Sequence, residues 1–183
     1  MPAALRLAVL LCLAAPAAAQ ELRVAAGAVA PAAGRLAPGW SAGPGLRASA
    51  ALGTHEELRA TLDVAVHDTE DPALPAFVAV GAFLGWSPTV ALGPLRLAPG
   101  VELGAVHMRF DDGERFGERL SAETELGVGL FARASVAVGG PVEAWAEGGV
   151  RRVFLSTPAD LAAASAGLAL RLPAPRLVRD ALE

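Results

Sequence analysis

The sequence predicts an all-β chain of eight antiparallel strands, joined up and down and closed into a barrel. Three observations carry this. Stretch after stretch alternates with a period of two, which places successive side chains on opposite faces of a strand. The connections alternate between short glycine turns and longer polar loops. One face of the strands is nearly all apolar, while the other holds a few charges among Gly, Ala and Ser.

With 183 residues, the chain is long enough for one domain with a sizeable core. It is 54% hydrophobic and 19% charged, and all fifteen basic residues are arginine. The net charge of −4 argues against a nucleic-acid partner, which needs a basic footprint. Residues 1–19 read as a signal peptide. Met1–Arg6 carries one positive side chain, Leu7–Ala15 is an apolar run, and Ala17-Ala18-Ala19 is a small-residue cleavage signal. The apolar run is well short of the roughly 20 residues that span a bilayer as a helix. Cys12 is the single cysteine and lies in this segment, so the mature chain is expected to have no disulfide and no thiol chemistry. Residues 20–172 are assigned to the barrel and residues 173–183 to a periplasmic tail.

Strand by strand, Leu22, Val24 and Ala26 alternate with Arg23, Ala25 and Gly27. Pro31–Gly39 is a loop. The second strand starts near Trp40 and is clearest where Leu46, Ala48, Ala50 and Leu52 oppose Arg47 and Ser49. Gly53–Glu56 is a turn. The third sets Leu58, Ala60, Leu62, Val64 and Val66 against Arg59, Thr61, Asp63 and His67. Asp68–Pro75 is a polar loop. The fourth, from about Phe77, is apolar on both faces, and Ser87-Pro88 should interrupt it because proline cannot donate to the ladder. Gly93-Pro94 is a turn. The fifth runs from Leu95 to Phe110, and a change of apolar parity near Gly104 predicts a bulge. Asp111–Gly117 is a charged loop.

The sixth strand carries the longest alternation, Ala122 to Val138, within Glu118–Val138, and Gly139-Gly140 closes it with a tight turn. The seventh covers Val142–Leu155 and Ser156–Asp160 is a loop. The eighth covers about Leu161–Leu172 and ends at Pro173.

Short turns on one side and longer loops on the other are the asymmetry of an outer-membrane barrel, with both termini on the periplasmic side. Eight strands close with an interior just filled by side chains. The sparse polar face suits such a narrow lumen. A soluble periplasmic barrel carrying a small apolar ligand is the alternative, and it requires the apolar face to point inward. As interface aromatics, Trp40, Phe77, Phe110 and Phe154 fall near outer strand ends and Trp86 near the inner end of the fourth strand.

From Leu22 to Leu172 this pattern resembles the small eight-stranded outer-membrane β-barrel superfamily, the OmpA/OmpX-like barrels. The signal segment, the alternations Leu58–Val66 and Leu126–Val138, and the loop asymmetry carry the likeness. Members commonly end on a strand closed by an aromatic residue. Here the last strand ends at Leu172, which points to a different insertion route or lineage.

The inward positions then include Arg23, Arg47, Arg59, Arg133 and Arg171 against Asp63, Glu102, Glu125, Glu143 and Glu147. Charges shut in a lumen must pair, because desolvating them alone is very costly. This reads as a salt-bridged plug, with a narrow gated pore as the other possibility. For catalysis, His67, His107, Ser121 and Glu123 lie toward the outer rim, and a lipid-modifying enzyme would need such a set. No serine lies close to a histidine and no nucleophile turn is present, so these read as solvated rim residues, as does His55 in an inner turn. Asp68, Glu70 and Asp71, and Asp111, Asp112 and Glu114, lack the spacing of a Ca²⁺ loop, and Arg115 and Arg119 offset the second run. No metal or cofactor is expected. The reading is a monomeric, non-enzymatic bacterial outer-membrane protein with a structural or surface-interaction role. Its loops would meet lipid, lipopolysaccharide or a surface partner.

Overall fold

The computed structural model describes residues 21–31, 40–69, 76–111, 122–154 and 159–175. The signal segment lies outside them, as do residues 176–183 and most of the four longer loops. Among the described residues there are nine strand segments: β1 (Glu21–Pro31), β2 (Trp40–Leu52), β3 (Glu56–Thr69), β4 (Phe77–Pro88), β5 (Val90–Leu92), β6 (Leu95–Phe110), β7 (Glu123–Gly139), β8 (Val142–Val153) and β9 (Ala159–Pro173).

Both β4 and β5 pair with β6, so they are two pieces of one stave broken at Ser87-Pro88-Thr89. Proline has no N–H to offer the ladder, and Thr89 N–H turns instead to the His55 carbonyl at 2.6 Å. Counted this way there are eight staves, and all their pairings are antiparallel. The ring closes where β1 meets β9, from Glu21↔Pro173 to Pro31↔Ala163. Closure through the β4–β6 pairing leaves no free edge along the wall, apart from β5 at the turn end, which pairs with β6 on one side only.

The three short turns follow β2, β5 and β7. Each holds a glycine with positive φ: Gly53 (120°), Gly93 (62°) and Gly140 (54°). Side chains rarely accept that backbone, so glycine is what lets the staves reverse so tightly. These turns define one end of the barrel, the turn end. The longer connections define the loop end.

The apolar face points out. Leu46 is 71% exposed, and Val138, Leu130 and Leu168 are 65%, 60% and 60% exposed. Arg59 and Glu147, by contrast, are buried inside. A soluble carrier needs the opposite arrangement, so that alternative is overturned. Inward glycines make room for large side chains. A Cβ at Gly27 would meet the Trp145 ring at 2.6 Å, and one at Gly81 would collide with the Asp63 carboxylate.

Two expectations are corrected. β6 pairs without a break from Leu95↔Val136 to Met108↔Glu123, so it has no bulge at Gly104. The apolar change there comes from Val106 and Met108, which face inward into an apolar cluster with Phe77, Ala79, Phe83 and Val153. The registers shift elsewhere, at Ala42/Gly45 and Ala137/Gly139. Phe77 and Phe110 are not interface aromatics. Phe77 is buried inside the barrel and Phe110 packs on the same inner cluster. Their parity matches that of buried neighbours Ala79 and Met108, which turns them away from the outer surface. Trp86 and Phe154 do face outward, at opposite ends of the wall. The backbone of Trp40 pairs with Thr69, and its side chain lies outside what is described.

Candidate functional site

The candidate site is the lumen, which fills in three levels. At the turn end, Arg23 ion-pairs with Glu57, with Glu21 at 2.6 Å and with Glu143 at 3.7 Å. Arg171 reaches Glu143 at 3.2 Å. Arg96 donates to the Thr54 carbonyl at 2.7 Å and lies 3.7 Å from Glu21. These contacts cross from stave to stave over the mouth.

At mid-height, Glu147 is the hub. Its carboxylate accepts from Arg47, Arg59 and Arg133, which come from β2, β3 and β7. Arg47 also donates to Asp63 at 3.0 Å and to Ser165 Oγ at 3.2 Å. Arg133 donates to Ser49 Oγ at 3.2 Å. Asp63 passes the chain to Arg151 at 2.5 Å, and Arg151 in turn bonds Glu102 at 2.5 Å. Three guanidiniums lie over rings: Arg59 over Phe131 at 3.8 Å, Arg133 over Trp145 at 4.4 Å, and Arg151 over Phe83 at 3.8 Å. The rings cover the apolar faces of the cations while the in-plane N–H groups stay free to donate. Desolvation makes each buried charge expensive, and this dense pairing offsets it.

At the loop end the lumen turns apolar, with Phe77, Phe83, Val106, Met108 and Val153 in contact. His67 stacks on Phe77 at 4.5 Å between ring centroids. Between this collar and the charged level lies a cavity of about 60 Å³, lined by Arg47, Asp63, His67, Glu102, Phe131 and Arg151 among others.

Of the residues expected inside, Arg23, Arg47, Arg59, Asp63, Glu102, Arg133, Glu143, Glu147 and Arg171 take part in these ion pairs. Glu125 keeps the inward parity near the loop end, half-buried, but forms no ion pair with a described residue. Sequence reasoning missed Glu57, Arg96 and Arg151. Parity would have found all three, since Arg96 stands six residues before Glu102 on an unbroken strand. Glu57 stands two residues before Arg59 on the same face, and Arg151 four after Glu147.

The rim residues are redistributed. His67 is buried and inward, so it is not a solvated rim group. His107 is exposed on the outer face, with Nδ1 2.8 Å from Thr124 Oγ1. The wall separates the two imidazoles, so they do not share one reacting centre. Glu123 and His55 are exposed, and Ser121 lies outside the described residues. Of the two acidic runs, Asp68 and Asp111 are described, while Glu70, Asp71, Asp112 and Glu114 are not. Among the described residues no three His, Cys, Asp or Glu side chains gather as a metal site would require.

No protein-family model matches the chain, and no curated protein matches it in sequence. Solved structures do match in fold. Neisserial surface protein A aligns with a TM-score of 0.56 at 15% identity, over 86% of this chain and 98% of that one. A major outer membrane protein of Thermus thermophilus aligns with 0.55 at 16% identity, over 84% and 100%. Ail, the attachment invasion locus protein of Yersinia pestis, aligns with 0.54 at 11% identity, over 84% and 99%. The fold of this chain is therefore that of small eight-stranded outer-membrane barrels.

Proposed function

We propose that the protein resides in a bacterial outer membrane as a non-enzymatic barrel, with a side-chain-filled, salt-bridged lumen and a structural or surface-interaction role. One observation carries this reading: the wall is apolar outside and charged inside. Contiguous exposed apolar surface of this extent is unfavourable in water and favourable in lipid. The staves run from 11 to 17 residues, from β1 to β7. About ten residues tilted by ~40° suffice to cross an apolar band of ~25 Å. The likeness to outer-membrane barrels of known structure supports the same location, with the turn end toward the periplasm.

The lumen acts as a plug. Its mid-height is crossed by ion pairs from five staves meeting at Glu147, Asp63 and Glu102. The contact region for lipopolysaccharide or a surface partner is assigned to the loops at residues 31–39, 68–75 and 111–117, most of which lie outside the described residues. Ail has been solved in complex with the heparin analogue sucrose octasulfate, an example of a ligand held by a barrel of this fold.

The test is electrophoretic mobility of detergent-extracted protein with and without boiling, joined to planar-bilayer recording. A mobility shift on boiling, extraction only by detergent, and no steady conductance are the expected results. Solubility without detergent would sink the membrane reading. A steady conductance would sink the plug.

A further inference from the structure

The apolar collar at the loop end is one-sided. Its residues Phe77, Phe83, Val106, Met108 and Val153 come from β4, β6 and β8. On the facing staves β1, β2, β3 and β9, that end of the lumen is lined by the smaller side chains of Val29, Gly43, Ala65 and Ala163. The cavity of about 60 Å³ follows this side, from those residues down to Arg47, Phe131 and Glu147 at mid-height. One water needs ~10–15 Å³ of such space, so there is room for about four.

The charges around it do not select an ion. In this part of the lumen the acids Asp63, Glu102, Glu125 and Glu147 stand against the arginines Arg47, Arg59, Arg133 and Arg151, four of each sign. The wall itself holds Asp63, Glu102 and Glu147 with Arg47 and Arg151, and Glu147 is answered from behind by Arg59 and Arg133. An ion entering here would lose its water with no surplus charge to meet it, a cost that a neutral molecule does not carry. The walls do offer hydrogen bonds. Arg47 Nε, Arg151 Nη2 and His67 Nδ1 are buried and have no hydrogen-bond partner among the described residues. All three residues line the cavity. The guanidiniums donate, and the imidazole nitrogen donates or accepts according to its tautomer. Buried polar atoms are rarely left unmet, and a polar cavity of this size is where water meets them.

We propose that this half of the lumen is a blind vestibule, entered from the loop end along the β1–β2–β3–β9 side, which binds small uncharged hydrogen-bonding molecules, water above all. The proposal rests on the barrel reading above and places the seal of the plug. The floor is the hub, where Glu147 holds Arg47, Arg59 and Arg133 from three staves and Arg133 stacks on Trp145 at 4.4 Å. Below it Ala169 packs with Ala25 and Trp145 and is 4% exposed. Cancelled charge turns ions of either sign away, while the unmet donors and the paired carboxylates suit a molecule that both accepts and donates. The lumen is then wet above Glu147 and closed beneath it.

The experiment uses the chain from Gln20 onward, folded in a nonionic detergent. Cys12 lies in the signal segment, so this chain has no thiol of its own. Two variants are compared, Ala65→Cys on the cavity wall and Ala169→Cys below the hub. Each is alkylated with iodoacetamide, which is neutral, and with iodoacetate, an anion of similar size. Every rate is divided by that of the same variant unfolded in denaturant. Iodoacetamide should react at Ala65→Cys within about tenfold of the unfolded rate, and at Ala169→Cys at least about a hundredfold more slowly. At Ala65→Cys iodoacetate should lag iodoacetamide by about tenfold or more. Ala163→Cys, nearer the loop end, takes the place of Ala65→Cys should that variant fail to fold. Protection at Ala65→Cys equal to that at Ala169→Cys would overturn the entry. Equal speed at the two positions would overturn the seal, and iodoacetate keeping pace would overturn the preference for neutral molecules. The boiling-dependent mobility shift reads barrel closure in each variant, so failure of the vestibule is distinguishable from failure of the barrel.

Discussion

The lower two levels of the lumen and its loop-end level are built on the same staves, with the same inward parity, yet they are filled by opposite chemistry. Below, arginines and glutamates from β1, β2, β3, β6, β7, β8 and β9 close on one another. Above, Phe77, Phe83, Val106, Met108 and Val153 pack as a small core. Parity decides which face a residue takes and says nothing of what fills that face. The lower part keeps the barrel together through directional pairs that fail if one partner is lost. The upper part does so through volume, where loss is graded by the cavity left behind.

Mutations can break this contrast. The largest effect is expected for Glu147→Gln, which strands three guanidiniums around a neutral amide. Breaking one buried pair costs roughly 3–5 kcal/mol, and a hub should sit at the top of that range. Denaturant titration in detergent measures it, and a loss under about 1 kcal/mol would show that the charged level is solvated.

Phe83→Ala probes the apolar level, where truncating a buried aromatic costs about 3 kcal/mol, the low end of its range because the long Arg151 side chain, whose guanidinium lies over the ring, can settle into part of the space. A cost matching that of Glu147→Gln would erase the difference between the levels.

Arg59→Met asks whether the hub needs all three of its guanidiniums. Glu147 keeps Arg47 and Arg133, and the thioether still covers Phe131, so the change should stay within about 1 kcal/mol despite full burial. The smallest effect is expected for Asp160→Asn. Arg152 donates two hydrogen bonds of 2.8 Å to this carboxylate, but both groups are exposed and screened, so the unfolding midpoint should not move.

The legible parts of the site were those where charge and parity agreed. Arg47, Arg59 and Asp63 stand on strands whose other face is plainly apolar, so their direction followed from alternation. Phe77 and Phe110 were misassigned because an aromatic near a strand end suits a membrane interface as well as an inner collar. Only the parity of the buried neighbours distinguishes the two. The supposed bulge at Gly104 had the same origin, since inward Val106 and Met108 imitate a register slip when the inner face is assumed to be polar. Arg151 and Glu57 followed the same alternation as their neighbours, and were missed for want of extending it by one or two pleats.

The sequence by itself determined the strands, the break at Ser87-Pro88, the glycine turns, the face of most side chains and hence a barrel with its apolar side outward. These are local consequences of a two-residue period and of the backbone freedom of glycine and proline. Tertiary structure alone decided the partners. Arg47 meets Glu147 across 100 residues of chain, and Arg59 meets it across 88. Those meetings depend on the register of every stave and on the curvature that brings opposite walls within one side-chain length. No local pattern encodes that sum.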